Sequence, residues 1–518
     1  MTSPLKTLSR ETAVYGLSTV VGRFLNFLLV PFYVNVLRTR VEFGVQTTLY
    51  AYMAFLSVVL PLGLEGAYFR YAARAEGEAP EPLRERRLFS TPFWAILSFA
   101  LPAAAALFLL APSLALPVFA DRTHDLSAFF PTLVRILRFG SGILVLDALA
   151  VVPFAALRLE HRAKMFTALK LGNIVLTLVL NFFFVLRWRM GVEGIFQANL
   201  IASAATLAAV LLACGEKLAF RFDAAIFRRM LPFGLGNVPA YLGAMMVQVI
   251  DRPIVQRLKG LDQAGVYQAN YRMGIAMMVL VSMFDYAWRP FFLRQHATRG
   301  DAAKPLFARV FTYSALLMML SFLGMSFFLP WFVGVRLPFV HRSLLRSDYL
   351  SGTGVIPVVL LAYVFQGFYT NFIVGIYIRE KTRWLPVATG LAAAVNIVTN
   401  LWWIPRWGIL GAAAATLAAY LVMAAVLYAA SQRIFPIAYE WGRVAKIFVI
   451  VLGSYVAGIW IGSAWAKTAA FAAAVALLLG TGFFDRAETE ALKSMFRARR
   501  PAVSSDPVAY ATERREEV

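Results

Sequence analysis

Several ionisable side chains lie inside stretches of the chain that are otherwise almost entirely apolar. Where such a stretch crosses a bilayer, a charged group costs about 2.5 kcal/mol or more unless it reaches water or a partner. Residues of this kind usually line a hydrated pathway or form an ion pair, so we take them as the candidate functional residues. They are Arg23, Glu65, Arg135, Arg138, Asp147, Lys170, Asp251, Arg272 and Asp285.

The arginines suit the binding of an anion, because the guanidinium group forms paired hydrogen bonds with phosphate or carboxylate oxygens. Arg23 lies near the middle of its apolar stretch, too far from either end to reach a headgroup, and we expect it to face a cavity. Arg135 and Arg138 share one helix face; they either line a cavity or extend to the outer headgroups. Lys170 is one turn from an end, and we expect it to extend to the surface.

Asp147 is the candidate for ion coupling. A lone carboxylate in a water-poor cavity suits the reversible binding of a proton or cation, because loss of hydration disfavours its charged form. The alternative is a structural hydrogen-bonding role.

The remaining acids each have a basic residue nearby. Glu65 precedes Arg70 by five positions and Asp285 precedes Arg289 by four, which predicts ion pairs at helix ends or gates. Asp251 and Arg272 lie at similar predicted depth and can pair, in either a structural or a functional role. Arg272 is also a candidate for substrate binding in a cavity, and Asp251 and Arg252 are candidates for coupling or gating.

The composition identifies the elements that position these residues. Of 518 residues, 60% are apolar and 15% charged, which excludes a soluble multidomain enzyme. We predict an all-α polytopic membrane protein with about 14 spans. The spans lie near 11–35, 44–69, 91–118, 132–156, 165–186, 191–214, 230–251, 266–288, 307–334, 351–377, 384–404, 407–430, 444–463 and 465–484.

The net charge of +22 indicates topology rather than nucleic-acid binding. Loops on one side, counted with both tails, hold more than twice as many Lys and Arg as the loops on the other side. The richer side is cytoplasmic by the positive-inside rule, so both termini are predicted inside, including the polar tail 485–518.

Few residues suit catalysis or metal binding. Cys214 is the single cysteine, and the four histidines (124, 161, 296 and 341) divide between opposite sides. No Gly-rich phosphate loop is present. We expect no cofactor, no metal and no enzymatic activity.

Two parts of the chain repeat the same pattern. Val30-Pro31-Phe32 is followed by Gly44-Val45, and Arg252-Pro253-Ile254 is followed by Gly265-Val266; the Glu65/Arg70 and Asp285/Arg289 pairs fall at matching offsets. Parallel repeats with the substrate site between them are a common transporter plan. We predict two pseudo-symmetric lobes, 1–220 and 221–430, followed by an appended helix pair in 431–484.

The quoted motifs resemble a known family. Tyr15-Gly16-Leu17-Ser18 through Val30-Pro31-Phe32-Tyr33, then Glu42-Phe43-Gly44-Val45 and the segment Gly63-Leu64-Glu65-Gly66-Ala67-Tyr68-Phe69-Arg70-Tyr71 look like the start of bacterial polysaccharide flippases of the O-antigen translocase type. Asp251-Arg252, followed by Gly265-Val266-Tyr267, is similar to the second half of that family. These proteins belong to the multidrug, oligosaccharidyl-lipid and polysaccharide exporter superfamily.

The resemblance implies two lobes around a central cavity that opens alternately to either side of the bacterial inner membrane. It implies transport of undecaprenyl-pyrophosphate-linked glycan, driven by H⁺ or Na⁺, in association with other polysaccharide assembly proteins. Arg23 and Arg70 stand where the family tends to have basic groups, and Asp251-Arg252 where it tends to have this dipeptide.

Three alternatives stay open at this stage. A multidrug exporter would need an acidic cavity, whereas the first predicted lobe has an excess of buried cations. A lipid II flippase shares the fold and carrier. A membrane glycan polymerase or ligase generally needs a large outer loop, and the outer loops predicted here are short.

Overall fold

The computed structural model describes residues 22, 27, 29–75, 82–121, 123–335, 343–481 and 483. Arg23, most of the predicted span 11–35, His341 and the predicted tail 485–518 lie outside these residues. Within the described ranges the chain forms helices joined by short turns, without β-strands. The predicted all-helical membrane fold is confirmed, whereas the count of 14 spans and the location of the termini stay predictions.

Residues 29–36 are helical, and the α-helices that follow are numbered in chain order. Asn181 is followed by a π-helical turn, Phe182–Arg187. The helices are α1 (Arg40–Val59), α2 (Leu64–Ala75), α3 (Pro82–Val118), α4 (Phe130–Leu159), α5 (Ala163–Asn181), α6 (Val192–Cys214), α7 (Ala224–Val249), α8 (Asp251–Lys259), α9 (Leu261–Met273), α10 (Ile275–Arg299), α11 (Lys304–Gly334), α12 (Val355–Ile378), α13 (Trp384–Trp407), α14 (Ile409–Ile434), α15 (Trp441–Ile461) and α16 (Ala464–Gly480).

The apolar helices have the length that a bilayer requires. In the part of the chain that the structure describes, 11 helical stretches are long and apolar enough to cross a membrane. One of them, Ile275–Gly334, contains both α10 and α11. Burial separates interior from peripheral helices: in its most apolar window α12 is 78% buried, whereas α5, with the turn after it, is 17% buried.

Two predicted spans are broken into separate helices. The span 44–69 becomes α1 and α2, which are separated at Leu60–Gly63, and the span 266–288 becomes α9 and α10, which are separated at Gly274. Gly63 has a φ of +65°, a conformation that glycine adopts without steric cost. Hydropathy could not indicate these breaks, because the sequence stays apolar across them.

Two glycines let α1 and α9 cross at very short range. A Cβ atom on Gly44 would collide with the carbonyl oxygen of Leu261, and one on Gly265 would lie 2.6 Å from that of Arg40. Each glycine therefore contacts the residue four positions before the other. This reciprocal contact is the one expected of two repeats related by a pseudo-two-fold axis. The division into lobes 1–220 and 221–430 stays a prediction.

The chain divides into two compact units, Met1–Glu440 and Trp441–Val518. In the second unit α15 packs along α16, and Lys446 Nζ donates a hydrogen bond to the carbonyl oxygen of Thr481 (2.8 Å). The alanines of α16 allow this close approach.

Candidate functional site

A cavity of about 480 Å³ lies between the first and second predicted lobes. From the first lobe, residues 29–33 and helices α1, α5 and α6 form its wall. From the second lobe, the end of α7 and helices α8, α9 and α10 complete it. The lining is mixed, because aliphatic and aromatic side chains alternate with amides, hydroxyls and two guanidinium groups.

Arg252 is held in a fixed orientation at this cavity. Its Nε donates to Gln268 Oε1 (2.6 Å) and its Nη1 to the carbonyl oxygen of Gln248 (2.7 Å), while its guanidinium lies 5.1 Å from the centre of the Tyr271 ring. Only 7% of the residue is exposed. Such fixed donors are suited to an anion because little conformational entropy is lost on binding.

Arg272 is the second cation of the cavity and has no ion pair within the described residues. The predicted pair with Asp251 is therefore wrong. Asp251 is not among the residues that line the cavity. It accepts a hydrogen bond from the hydroxyl of Tyr267 and interacts electrostatically with the neighbouring Arg252. The reason is rotational: Arg272 and Tyr267 are five residues apart on α9, so they lie on different faces of that helix.

A second cavity of about 410 Å³ lies within the first lobe. Asn173 and Asn199 line both cavities, which are therefore adjacent. Asn199 Nδ2 donates to the hydroxyl of Tyr50 (2.9 Å), and Asn173 Nδ2 to Thr206 Oγ1 (2.8 Å).

Four charged side chains line the second cavity: Glu65, Asp147, Arg158 and Lys170. Lys170 is exposed and lines this cavity, with its ammonium group 4.1 Å from the centre of the Phe154 ring; its extension to the membrane surface stays a prediction. Asp147 shares the cavity with it and with Ser203. An acid and a base with access to the same cavity can exchange partners when an ion or proton enters.

Only one of the two predicted local ion pairs is formed. Asp285 accepts a hydrogen bond from Arg289 Nε (2.8 Å), as its four-residue spacing predicts. The Glu65 and Arg70 pair is wrong: Glu65 pairs with Arg158 of α4, and Arg70 lies over the Phe233 ring at 4.5 Å. A spacing of five residues puts two side chains on different faces of a helix, so neighbouring α4 supplies the partner.

Arg135 and Arg138 are not among the residues that line these two cavities. Arg135 pairs with Glu193 (2.7 Å), and Arg138 lies over the Phe108 ring at 4.9 Å. The prediction for Arg23 falls outside the described residues.

The charge balance differs from the sequence expectation. In the two cavities four cations face two carboxylates, and the first lobe supplies equal numbers of each. The excess comes from Arg252 and Arg272 of the second lobe, whereas the sequence pointed to the first lobe. Depth along a helix can be counted from sequence, but the direction of a side chain around it cannot.

A set of contacts joins the two lobes at one end of the cavity, on the side predicted to lie outside. Leu261 N–H donates to Asp121 Oδ2 (2.9 Å) and Gln256 Nε2 to the carbonyl oxygen of Ala120 (2.8 Å). Arg346 Nη1 donates to the carbonyl oxygen of Leu37 (2.8 Å). We call these three contacts the outer clasp; together with the Gly44 crossing they close this end.

Asp121 is the charged centre of the outer clasp. Burial alone would raise the pKa of Asp121. Hydrogen bonds from Leu261 N–H, from the hydroxyl and N–H of Thr123 and from His124 outweigh that effect and hold the pKa below its ordinary value.

Metal binding has no support in the part of the chain that is described. No group of three His, Cys, Asp or Glu side chains there could hold a metal ion. Cys214 is buried and unpaired, and His124 is engaged with Asp121 at 2.9 Å.

The sequence reasoning missed Arg158 and the amides of Asn173, Asn199 and Gln268. The available signal was weak: amide side chains in spans also bond to neighbouring helices. Only the packing shows which of them face a cavity.

Residues 37–340 match the model of a family described as "Polysaccharide biosynthesis protein". The match covers more than half of the chain. The chain belongs to this polysaccharide biosynthesis family. The resemblance found in the sequence is thereby confirmed at the level of the family. No curated protein sequence matches the chain significantly.

Three solved structures have the same fold as this chain at low sequence identity. The lipid II flippase MurJ, in an inward closed conformation, is 14% identical with a TM-score of 0.72, covering 94% of this chain and 99% of that one. An inward-facing multidrug resistance MATE transporter of the MOP superfamily is 12% identical with a TM-score of 0.62, covering 80% and 94%. An outward-facing MATE structure is 13% identical with a TM-score of 0.56, covering 84% and 98%.

Proposed function

We propose that this protein is a flippase, not an enzyme, which moves an undecaprenyl-pyrophosphate-linked oligosaccharide across the bacterial inner membrane by alternating access. The observation that carries the proposal is the position of Arg252 and Arg272 in one cavity between the two predicted lobes. Two guanidinium groups in one lining, of which only Arg252 has a carboxylate, Asp251, beside it, suit a pyrophosphate. The surrounding amides and hydroxyls suit sugar hydroxyl groups.

The closed outer clasp fits one state of such a cycle. With the outer end closed, substrate would enter from the cytoplasmic side and leave after the clasp opens. Exchange of ion partners around Asp147 would supply coupling to H⁺ or Na⁺. Association with other polysaccharide assembly proteins belongs to the same proposal.

A direct transport assay tests this function. The full-length protein is placed in liposomes with undecaprenyl-pyrophosphate-linked oligosaccharide that carries a fluorescent sugar, and an impermeant quencher reports the labelled lipid that crosses. Arg272→Ala should slow transport by about tenfold or more, because a hydrogen bond to a charged group contributes about 1.5–3 kcal/mol. Transport by Arg272→Ala at the wild-type rate would exclude this site.

The matched control is Arg299→Ala. Arg299 is exposed at the end of α10 and lines neither cavity, so its removal should leave the rate unchanged.

Arg23→Ala should abolish transport while the protein stays in the membrane, because the sequence predicts that Arg23 faces the cavity.

Lipid II is the second candidate substrate, and the similarity in fold to the lipid II flippase MurJ favours it. Both substrates share the carrier and the pyrophosphate, so the arginines would serve either one. The same assay with labelled lipid II separates them: faster transport of lipid II than of the oligosaccharide would assign that function. A multidrug exporter is disfavoured, because an excess of cavity cations repels cationic drugs.

A further inference from the structure

The segment that joins the two predicted lobes packs against α3. Trp94 Nε1 donates to the carbonyl oxygen of Ala219 (2.8 Å), and Ala219 N–H donates to Ser90 Oγ (2.8 Å). Asp223 N–H donates to Thr91 Oγ1 (3.2 Å). These bonds hold residues 219–223 beside the first half of α3. We call residues 219–223 the lobe linker.

The lobe linker exposes two aromatic rings on either side of an arginine. Phe220 is 91% exposed and Phe222 51% exposed. The Phe220 ring lies 5.3 Å from the Trp94 ring, between centroids. Aromatic and basic side chains together are typical of the membrane–water interface, and the charge count puts this segment on the cytoplasmic side.

An apolar groove continues from these rings along α3. Trp94, Leu97, Leu101, Pro102 and Phe222 line a depression of about 490 Å³ with little polar surface. Trp94 and Leu101 are seven residues apart, which is about 10 Å along a helix. That length fits part of an acyl chain within one leaflet, whose hydrocarbon is about 15 Å thick.

A basic pocket adjoins the groove at its interfacial end. Arg87, Arg221 and Asp223 line a space of about 510 Å³, and Phe222 lines both depressions. Asp223 offsets part of the charge, because its Oδ2 forms a long ion pair with Arg87 Nη1 (3.8 Å). Its Oδ1 accepts hydrogen bonds from the N–H groups of Ala225 and Ile226. Both arginines are exposed and can turn toward an anion.

We propose that the groove and the basic pocket together bind an anionic phospholipid of the cytoplasmic leaflet. The headgroup phosphate would contact Arg87 and Arg221, and one acyl chain would lie along Trp94, Leu97 and Leu101. The short groove suits a phospholipid chain better than a polyprenyl chain several times longer. A lipid bound here would brace the lobe linker, and so affect the relative movement of the lobes whatever the transported substrate is.

The test measures lipid retention by the purified full-length protein. Native mass spectrometry compares phosphatidylglycerol with phosphatidylcholine, and a photoactivatable phosphatidylglycerol, reactive in its acyl chain, maps the contact. Wild type should retain phosphatidylglycerol preferentially and cross-link within 94–102. Arg87→Ala with Arg221→Ala should weaken retention about fivefold for each arginine. Leu101→Ser should reduce the cross-link even where both arginines are intact.

The matched control is Arg294→Ala with Arg299→Ala, which removes two exposed arginines from the end of α10 and should leave retention unchanged. Equal retention by the Arg87/Arg221 variant and wild type overturns the proposal, as does equal retention of phosphatidylcholine. Displacement of the cross-link by undecaprenyl phosphate, but not by unlabelled phosphatidylglycerol, also overturns it by assigning the groove to the carrier lipid.

Discussion

At the residue scale, the two arginines of the cavity differ in how firmly their guanidinium groups are held. Arg252 is held by Gln268 and by the Gln248 carbonyl group, so it presents fixed donors. Arg272 has no ion pair within the described chain and stays available to a ligand. A preorganised donor next to an unpaired one suits a substrate with two linked phosphates, because each phosphate can meet its own guanidinium group.

The role of Asp147 can be tested by removing its charge. If Asp147 binds the coupling ion, Asp147→Asn should reduce gradient-driven transport to the rate seen without a gradient, since an amide does not bind a proton reversibly at neutral pH. The measurement compares liposomes with and without an imposed pH or Na⁺ gradient. Asp301→Asn is the control, because Asp301 is exposed and paired with Lys304. A full gradient response in Asp147→Asn would leave Asp147 a structural role only.

At the element scale, the crossing of α1 and α9 fixes how the two lobes meet. Both helices place a glycine where any side chain would collide with the other backbone. Interiors tolerate extra volume poorly, and overpacking costs about 1–3 kcal/mol. The crossing therefore requires glycine at both positions for steric reasons.

Gly44→Ala should destabilise the protein by an amount in that range. The added methyl group must push Leu261 away, so we expect a lower midpoint of thermal unfolding in detergent, monitored by Trp fluorescence. Gly236→Ala is the matched control: a Cβ at Gly236 meets nothing within 4 Å, and alanine favours a helix by about 1 kcal/mol relative to glycine. An unchanged midpoint in Gly44→Ala would contradict the close crossing.

Asp121→Asn should loosen the outer clasp. The amide accepts fewer hydrogen bonds than the carboxylate, so the outer end should open more often, and a cysteine at Gln46 in the cavity should react faster with an impermeant maleimide from outside. Cys214→Ser provides the background. Asp125→Asn is the control, because its bonds stay within its own turn with Ser127. Equal labelling with and without Asp121→Asn in this background would show that Asp121 does not hold the clasp closed.

The same clasp should depend on pH. The pKa of Asp121 lies below its ordinary value in the folded state, so its contribution to stability is complete above the unfolded pKa of about 3.9. It is lost as the pH falls through the lower folded pKa. The midpoint of thermal unfolding of the wild type in detergent should therefore fall as the pH drops through that range and stay constant near neutrality.

At the scale of the whole molecule, the charge asymmetry predicts which end of the cavity faces the cytoplasm. Cysteines introduced at Asp125 and Glu216, both exposed, should report opposite sides in the Cys214→Ser background. In intact cells with a permeable outer membrane, impermeant maleimide should label position 125 and spare position 216. The reverse pattern would invert the topology and place the lobe linker in the outer leaflet.

The sequence by itself determined the membrane class, the helical fold and the family. Those properties depend on composition, on the length of apolar runs and on short motifs such as the one around Gly44, all of which are local along the chain. The same locality predicted the Asp285–Arg289 pair, whose partners are one helical turn apart.

The tertiary structure alone decided which charges face the cavity. Arg135 pairs with Glu193, Glu65 pairs with Arg158 rather than Arg70, and Lys170 lies over the Phe154 ring at the second cavity. Each outcome depends on the rotation of one helix against another. That rotation is set by packing between residues distant in sequence, which a pattern of hydrophobicity along one chain does not encode.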